Sequence, residues 1–379
     1  MEIKIQEVTT LRDLKRFIEF PNRLYKNNPY YVPPLMMTEL ETLERTKNPA
    51  FEFCDVKYWL VFHDKEIVGR IAGIINHRYN QKVGQVLVRF GWFDFIENIE
   101  VASILLQTVE QWGKENGAQT IHGPLGFLEF DPSGILVEGF NEIPTAYGKY
   151  NFPYYPKFLE TLGFEKEVDW IEYQLTLPDR LPSRYSEMAQ KVAQRYNVRA
   201  LSFRSKKELL QYTDQIFDLL NDEYDRIHGF YKMSPGQIEM LKKQFVPLLR
   251  LKYVAVVVDS NNKVIGFGIT MPSLSKALQR AKGNLFPFGI FHLFKAIYIN
   301  DTIDTLLIAV DEKYHNKGIN ALLFYEIGKN VLGNGFNKLE TTRQLETNVN
   351  IQNLWKNFEY KLHKRARCFQ KKIIDNHGN

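Results

Sequence analysis

Cysteine is nearly absent from this sequence of 379 residues: Cys54 and Cys368 sit towards opposite ends, and no Cys-x-x-Cys or Cys/His cluster occurs. A disulfide framework and a locally spaced zinc site are therefore not expected, and the sequence predicts no metal. Long apolar runs are missing too. The nearest approach, NLFPFGIFHLFKAIYI at 284–299, is interrupted by Pro287, His292 and Lys295 and falls short of the ~18 residues a spanning helix needs. The opening MEIKIQEVTT alternates apolar and polar residues and lacks the apolar centre of a secretory leader. An excess of one charge is also lacking: 49 Lys and Arg against 44 Asp and Glu leave +5, which argues for no nucleic-acid partner. The class that survives is a cytoplasmic enzyme or binding protein.

Aromatic residues are plentiful, with 27 Phe and 20 Tyr, enough for large apolar pockets or interfaces. The length suggests two domains of ~150 residues or more, and the patterning agrees. A strand at 3–8 and a helix at 11–20 precede NPYYVPPL (28–35), where repeated Pro forbids a regular element. KYWLVF and IVGRIAGII then read as a hairpin, 86–95 as a strand, 101–116 as a helix ended by Gly117, and 119–122 as a strand. After a polar stretch the order returns. Helices at 207–221 and 234–249 lead to the hairpin YVAVVV/VIGFGIT across DSNNK and a strand at 303–310. A helix at 319–331, a strand at 338–343, a short helix at 349–359 and a last strand at 366–373 follow. The predicted class is α/β of the α+β kind. Two domains of like topology, 1–176 and 200–379, are joined by 177–199, each a mixed, mostly antiparallel sheet flanked by helices.

The stretch that carries chemistry is IDTLLIAVDEKYHNKGINALLFYEIGKNVLGNG, 303–335. A buried strand ends at Val310, a polar turn holds Lys317 and Gly318, and a helix begins with Ile319, Leu322, Leu323 and Ile327 on its packing side. Free N–H groups at a helix start, with the positive end of its dipole, attract phosphate. Gly318 lets the backbone approach a ligand closely. His315 and Lys317 add donors or charge, with a solvated loop histidine as the competing account of His315.

This strand–loop–helix resembles the GNAT superfamily of acyl-CoA-dependent N-acyltransferases, whose Gln/Arg-x-x-Gly-x-Gly/Ala loop holds the CoA pyrophosphate on backbone amides. The matching hexapeptide is HNKGIN: Gly318 is kept, His315 stands for Gln or Arg, and Asn320 for the last Gly or Ala. The resemblance implies CoA binding by Ile308 and Val310 of the strand and by His315, Asn316, Lys317, Gly318, Ile319 and Asn320 of the loop. It adds Asn348 from NVNIQNLW. Trp355 takes the place of the family's general-acid Tyr, and an indole cannot donate a proton as a phenol does. The corresponding loop of the first half, FDFIENIEVA (93–102), has no glycine, so the second half is the expected CoA binder. PYYVPPL, the aromatic-rich first half and the apolar 284–299 are also similar to bacterial GNAT-like acyltransferases of sphingolipid N-acylation.

The implied co-substrate is acetyl-CoA or a longer acyl-CoA, and the implied acceptor is a small-molecule or lipid amine, with peripheral contact at the inner membrane as an extension. Glu223, Asp225 and His228 of NDEYDRIHGFY are the candidate acid–base residues, against a polar helix end as the plainer account. Phe286, Phe288, Phe291, Leu293 and Phe294 are candidates for an acyl-chain tunnel, with core filling or membrane contact as alternatives. GPLGFLEFDPSGILVEGF (123–140) is too long and glycine-rich for a turn, and its Glu129 and Asp131 are candidates to reach a cleft between the domains. A non-catalytic GNAT-fold module and an aminoacyl-tRNA-dependent transferase are the alternative functions.

Overall fold

A computed structural model describes residues 3–128, 130–356 and 358–373; Glu129 lies outside them. The first half runs β1 (Ile3–Glu7), α1 (Leu11–Leu24), α2 (Met36–Leu43), the hairpin β2 (Cys54–His63) and β3 (Glu66–Asn76), and α3 (His77–Val83). It continues with β4 (Leu87–Phe95), α4 (Ile99–Glu115), β5 (Thr120–Gly123), β6 (Ile135–Glu138), α5 (Tyr154–Thr161) and β7 (Glu165–Thr176). The second half opens with α6 (Ser183–Tyr196), β8 (Arg199–Leu201), α7 (Lys206–Leu210), α8 (Thr213–Tyr224) and α9 (Pro235–Phe245). Then come the hairpin β9 (Val254–Val258) and β10 (Val264–Pro272), α10 (Ser275–Ala281), α11 (Gly289–Tyr298) and β11 (Thr302–Val310). It closes with α12 (Ile319–Val331), β12 (Lys338–Thr341), β13 (Gln344–Leu345), α13 (Val349–Trp355) and β14 (Glu359–Lys372). Among the described residues no helix is long and apolar enough to cross a membrane.

Helices cover both faces of the sheet, which is why β4 is buried at all nine positions instead of alternating. One face carries α4 and α5 over Val88, Phe90 and Phe93. The other carries α1 and α2 over Leu60, Ala72 and Trp92.

The two halves do not own separate sheets. The described strands join one sheet in the order β1-β2-β3-β4-β5-β14-β7-β12-β11-β10-β9-β8, with β6 paired to β14 and β13 to β7 off this path. The final strands are exchanged: β14 pairs with β5 of the first half, and β7 pairs with β12 of the second. Between them β14 and β7 run antiparallel from Glu359 opposite Thr176 to Gln370 opposite Glu165. Phe369, from the end of the chain, is consequently fully buried in the core of the first half beside Phe90, Phe93 and Tyr155.

Three sequence expectations change in extent. Helix α1 runs through Pro21 to Leu24, because Pro21 sits in its last turns and its carbonyl still accepts the Tyr25 N–H. The joining stretch 177–199 holds α6, whose Ala189 and Val192 pack with Ile319 and Leu322 of α12. Strand β14 begins at Glu359, not 366. Its charged run conceals the strand, since Lys364, Arg365 and Arg367 find ion partners along β7 rather than solvent.

That ionic seam sits at the middle of the sheet. Lys364, 2% exposed, lies 2.9 Å from Glu172 of β7 and 3.5 Å from Glu340 of β12. Beside it Asp304 of β11 is fully buried, with the Ser273 side chain as its hydrogen-bonding neighbour. Burial, with Glu340 nearby, pushes the Asp304 carboxyl up to about 8.

Two outcomes follow from this seam. Phe369→Ala removes a ring from the first half's core, so it is expected to cost ~3–5 kcal/mol and to lower that half's denaturation midpoint, read by fluorescence from Trp59 and Trp112. An unchanged midpoint argues against strand exchange. Asp304 ionises near 3.8 when unfolded and near 8 when folded, so its contribution is complete below about pH 4 and is lost as pH rises towards 8. Asp304→Asn removes that loss. Its stability relative to the unaltered protein is expected to rise by up to ~1.4 kcal/mol per pH unit across this window and then level off, measured by urea titration at several pH values.

Candidate functional site

Strands β11 and β12 pair in parallel only over 302–305 and 338–341. Beyond Thr341 the chain leaves β11 to follow β7, where Gln344 and Leu345 lie opposite Ile171 and Trp170. The edge of β11 at 306–310 is thereby parted from its neighbour, and a cleft of about 980 Å³ opens there. One end is lined by the start of α12, from Gly318 to Ala321. The cleft's apolar lining includes Ile216 and Leu220 of α8, Leu241 and Phe245 of α9, and Leu249. The first half supplies Phe130, Asp131, Tyr147 and Trp170.

At the α12 end Gly318 adopts φ 81° and no side chain caps the helix. A side chain there is strained by that backbone, and its Cβ meets Val192 at 3.0 Å. Asn316, Gly318, Ile319 and Asn320 line the cleft here, whereas Lys317 does not and its N–H donates to the Tyr314 carbonyl at 3.2 Å. Lys317 lies over the rings of Tyr196 and Tyr314, at 5.6 and 5.2 Å. His315 also lines the cleft, where its Nε2 is engaged 2.7 Å from the Val310 carbonyl and 3.1 Å from Glu223. Asn348 lines the cleft but spends its side-chain oxygen capping α13 at the Ile351 N–H. Trp355 is buried against Phe324, with its indole N–H on Gln344, so it acts in packing.

The three acid–base candidates do not converge. Glu223 lines the cleft, accepts the Glu312 N–H at 2.8 Å and faces His315, which ties α8 to the loop. Asp225 pairs with Lys82 of α3 at 2.9 Å. His228 stands 3.4 Å from Glu167, beside His122 and Cys368, in a separate cluster. Two further groups reach the cleft: Tyr224, which spacing left unassigned, and Asp131, expected there from its glycine-rich loop. The Tyr224 hydroxyl donates to the Ile308 carbonyl at 3.3 Å, on the parted edge. Asp131 accepts the Phe127 and Leu128 N–H groups at 2.7 and 2.9 Å, yet burial pushes its carboxyl up to about 6. A signal for both was present: Tyr224 adjoins Glu223, and Asp131 belongs to the glycine-rich loop.

The first half parts its strands in the same way, since β4 and β5 pair only over Leu87–Arg89 and 120–122. Here the chain fills its own gap. The Leu125 N–H donates to the Phe90 carbonyl, Lys149 to that of Phe93, and Tyr154 to that of Phe95. Gly91 leaves room for this, because a Cβ there meets the Leu125 carbonyl at 2.5 Å. The start of α4 is also closed, as the Asn98 side chain accepts the Glu100 and Val101 N–H groups.

The expectation of an acyl tunnel at 284–299 fails. Phe286, Phe288, Phe291 and Phe294 are 55–75% exposed, and of the named set only Leu293 is buried. Helix α11 turns Leu293 inward and leaves Phe291, Phe294 and Tyr298 on its outer face.

No protein-family model matches the chain. Protein YghO of Escherichia coli strain K12 is 27% identical over 373 residues, spanning 95% of this chain and 93% of its own length. The bacterial ceramide synthase of Caulobacter vibrioides is 23% identical over 382 residues, with 98% of each chain covered. A solved tandem GNAT protein from the clavulanic acid biosynthesis pathway superposes on 99% of this chain and 100% of its own, with a TM-score of 0.57 at 11% identity. With the same order of elements in both halves and this superposition along its length, the chain has the GNAT fold twice over, in tandem.

Proposed function

We propose that this chain is an N-acyltransferase that moves an acyl group from acyl-CoA to an amine, working in its second half. The observation that carries this reading is the continuity of one cleft. The uncapped helix start, the strand edge parted from its neighbour and apolar side chains of α8 and α9 all line it. The N–H groups of Gly318, Ile319 and Asn320 suit a pyrophosphate, whereas that of Lys317 is taken by the Tyr314 carbonyl at 3.2 Å. Pantetheine amide groups lying along the edge at 306–310 would replace the side chains of Thr342, Tyr224 and His315 that now hold the Leu306, Ile308 and Val310 carbonyls. In the reaction the amine nitrogen bonds to the thioester carbon, the C–S bond breaks, and the thiolate takes a proton. Tyr224 is the phenol placed to supply it, a role that Trp355 cannot fill. Asp131, whose carboxyl burial pushes up to about 6, is the group we assign to take the proton from the incoming ammonium.

The apolar lining favours a long acyl chain, and the likeness to a protein named ceramide synthase favours a lipid amine as acceptor. Each buried methylene contributes ~0.8 kcal/mol, so four of them favour a long-chain donor over acetyl-CoA roughly a hundredfold. Thermal shift with CoA, acetyl-CoA and palmitoyl-CoA below its micelle concentration tests this, since a ligand of the native state raises the melting temperature. All three are expected to stabilise, palmitoyl-CoA most, and Gly318→Val is expected to abolish the shift while keeping its fold. No shift with any of them leaves the non-catalytic module or the aminoacyl-tRNA-dependent transferase as the better reading.

A lipid acceptor requires access to a bilayer, and α11 supplies a fitting surface. Phe286, Phe288, Phe291, Phe294, Tyr298 and Ile299 are all more than half exposed. The flanking segment 273–300 holds Lys276, Arg280, Lys282 and Lys295 and no acidic residue, a composition suited to an anionic bilayer surface. Co-sedimentation with vesicles containing phosphatidylglycerol is expected, and is expected to fall with Phe288→Ser/Phe291→Ser or with phosphatidylcholine alone. Equal sedimentation of the double variant rules this surface out.

A further inference from the structure

Four metal-ligating side chains far apart in sequence meet at the centre of the sheet. His122 comes from β5, Glu167 from β7 and Cys368 from β14, three neighbouring strands. His228 descends from the turn after α8. One donor atom of each lies within 4.8 Å of all the others. Glu167 is central: Oε2 is 3.2 Å from His122 Nδ1 and 3.1 Å from Cys368 Sγ, and Oε1 is 3.4 Å from His228 Nε2.

The surroundings hold this geometry. Along β14 and β7 the register shifts between Cys368 and Phe369, whose partners are Val168 and Lys166, so Glu167 is the extra residue of a bulge. Bulges re-aim side chains in this way. The Tyr79 ring stacks on His122 at 6.1 Å. Arg89 donates to the Gly229 carbonyl at 2.9 Å, which pins the turn carrying His228. His122 is 1% exposed and Cys368 fully buried. Zinc–donor bonds of about 2.0–2.3 Å place tetrahedral donors about 3.3–3.8 Å apart, so only a small contraction or expansion of this cluster is needed. Two imidazoles, a carboxylate and a thiolate are a zinc-type donor set. Their two anionic members balance a divalent charge in a buried place.

We propose that His122, Glu167, His228 and Cys368 bind one zinc-class divalent cation, which fastens the turn after α8 to the strands of both halves. All four positions are filled by protein, so the ion is structural, and its binding releases the Cys368 thiol proton to solvent. The site stands apart from the cleft, with Trp170 between them: its ring lies 6.4 Å from that of His228, and it also lines the cleft.

The full-length protein, stripped with chelator and titrated with Co²⁺ as the spectroscopic stand-in for Zn²⁺, tests the site. About one equivalent is expected to give tetrahedral d–d bands and a near-ultraviolet thiolate-to-cobalt band. Cys368→Ser is expected to lose the thiolate band. His228→Gln, in a partly exposed turn and so safer for folding, removes a direct ligand and is expected to weaken affinity by more than the ~10–100-fold typical of losing an outer partner. Zn²⁺ is expected to raise the melting temperature of the unaltered protein only. Absence of stoichiometric Zn²⁺ and Co²⁺ uptake, or unchanged affinity in His228→Gln, overturns the proposal and leaves a hydrogen-bonded group centred on the Glu167 carboxylate.

Discussion

The antiparallel pairing of β7 with β14 is the constraint on which the rest of this molecule depends. Each is the last strand of its own half, and each completes the sheet of the other. Because β12 is drawn away to follow β7, it parts from β11 after four residues, and the parting makes the cleft. The same pairing brings Cys368 and Glu167 side by side and seats Phe369 in a core built from residues near the other end of the chain. Cleft, buried cluster and core thus share one cause.

Duplication leaves two similar gaps with different fates. In the first half the loop after β5 folds back into the gap and takes the free carbonyls of β4, and Asn98 closes the helix start. In the second half the helix start stays open. The plugging loop has a second use, since its continuation presents Phe130 and Asp131 to the cleft of the other half. One half is therefore a wall of the site rather than a spare copy of it.

Legibility in the sequence followed range. The loop at Gly318 and the helix after it are local features, written in a glycine that must take positive φ and in residues that repeat every three or four positions. The hairpins and central strands were legible for the same reason. Strand β14 was half hidden, because its lysines and arginines look solvated until the carboxylates of β7 are beside them. His122, Glu167, His228 and Cys368 share no spacing, and only the exchanged strands bring them together. The rings at 284–299 show the limit of hydropathy: it identifies apolar side chains but not the side of the helix they occupy. Tyr224 escaped notice although it adjoins Glu223, because a tyrosine at a helix end does not show which strand edge it faces.

Strand exchange also sets a timetable for synthesis. Chains commonly fold from the N-terminus as they emerge, at about 5–20 residues per second. Here the first half, complete in its own residues once β7 is made, still lacks the strand that belongs beside β5. That strand is about 180 residues further on, so the edge of β5 and the apolar pocket for Phe369 wait roughly 10–40 seconds uncovered. Through that interval a nascent chain presents an open strand edge of the kind that recruits other strands. The burden of keeping it solitary falls on chaperones at the ribosome or on transient self-pairing of β7 with β5.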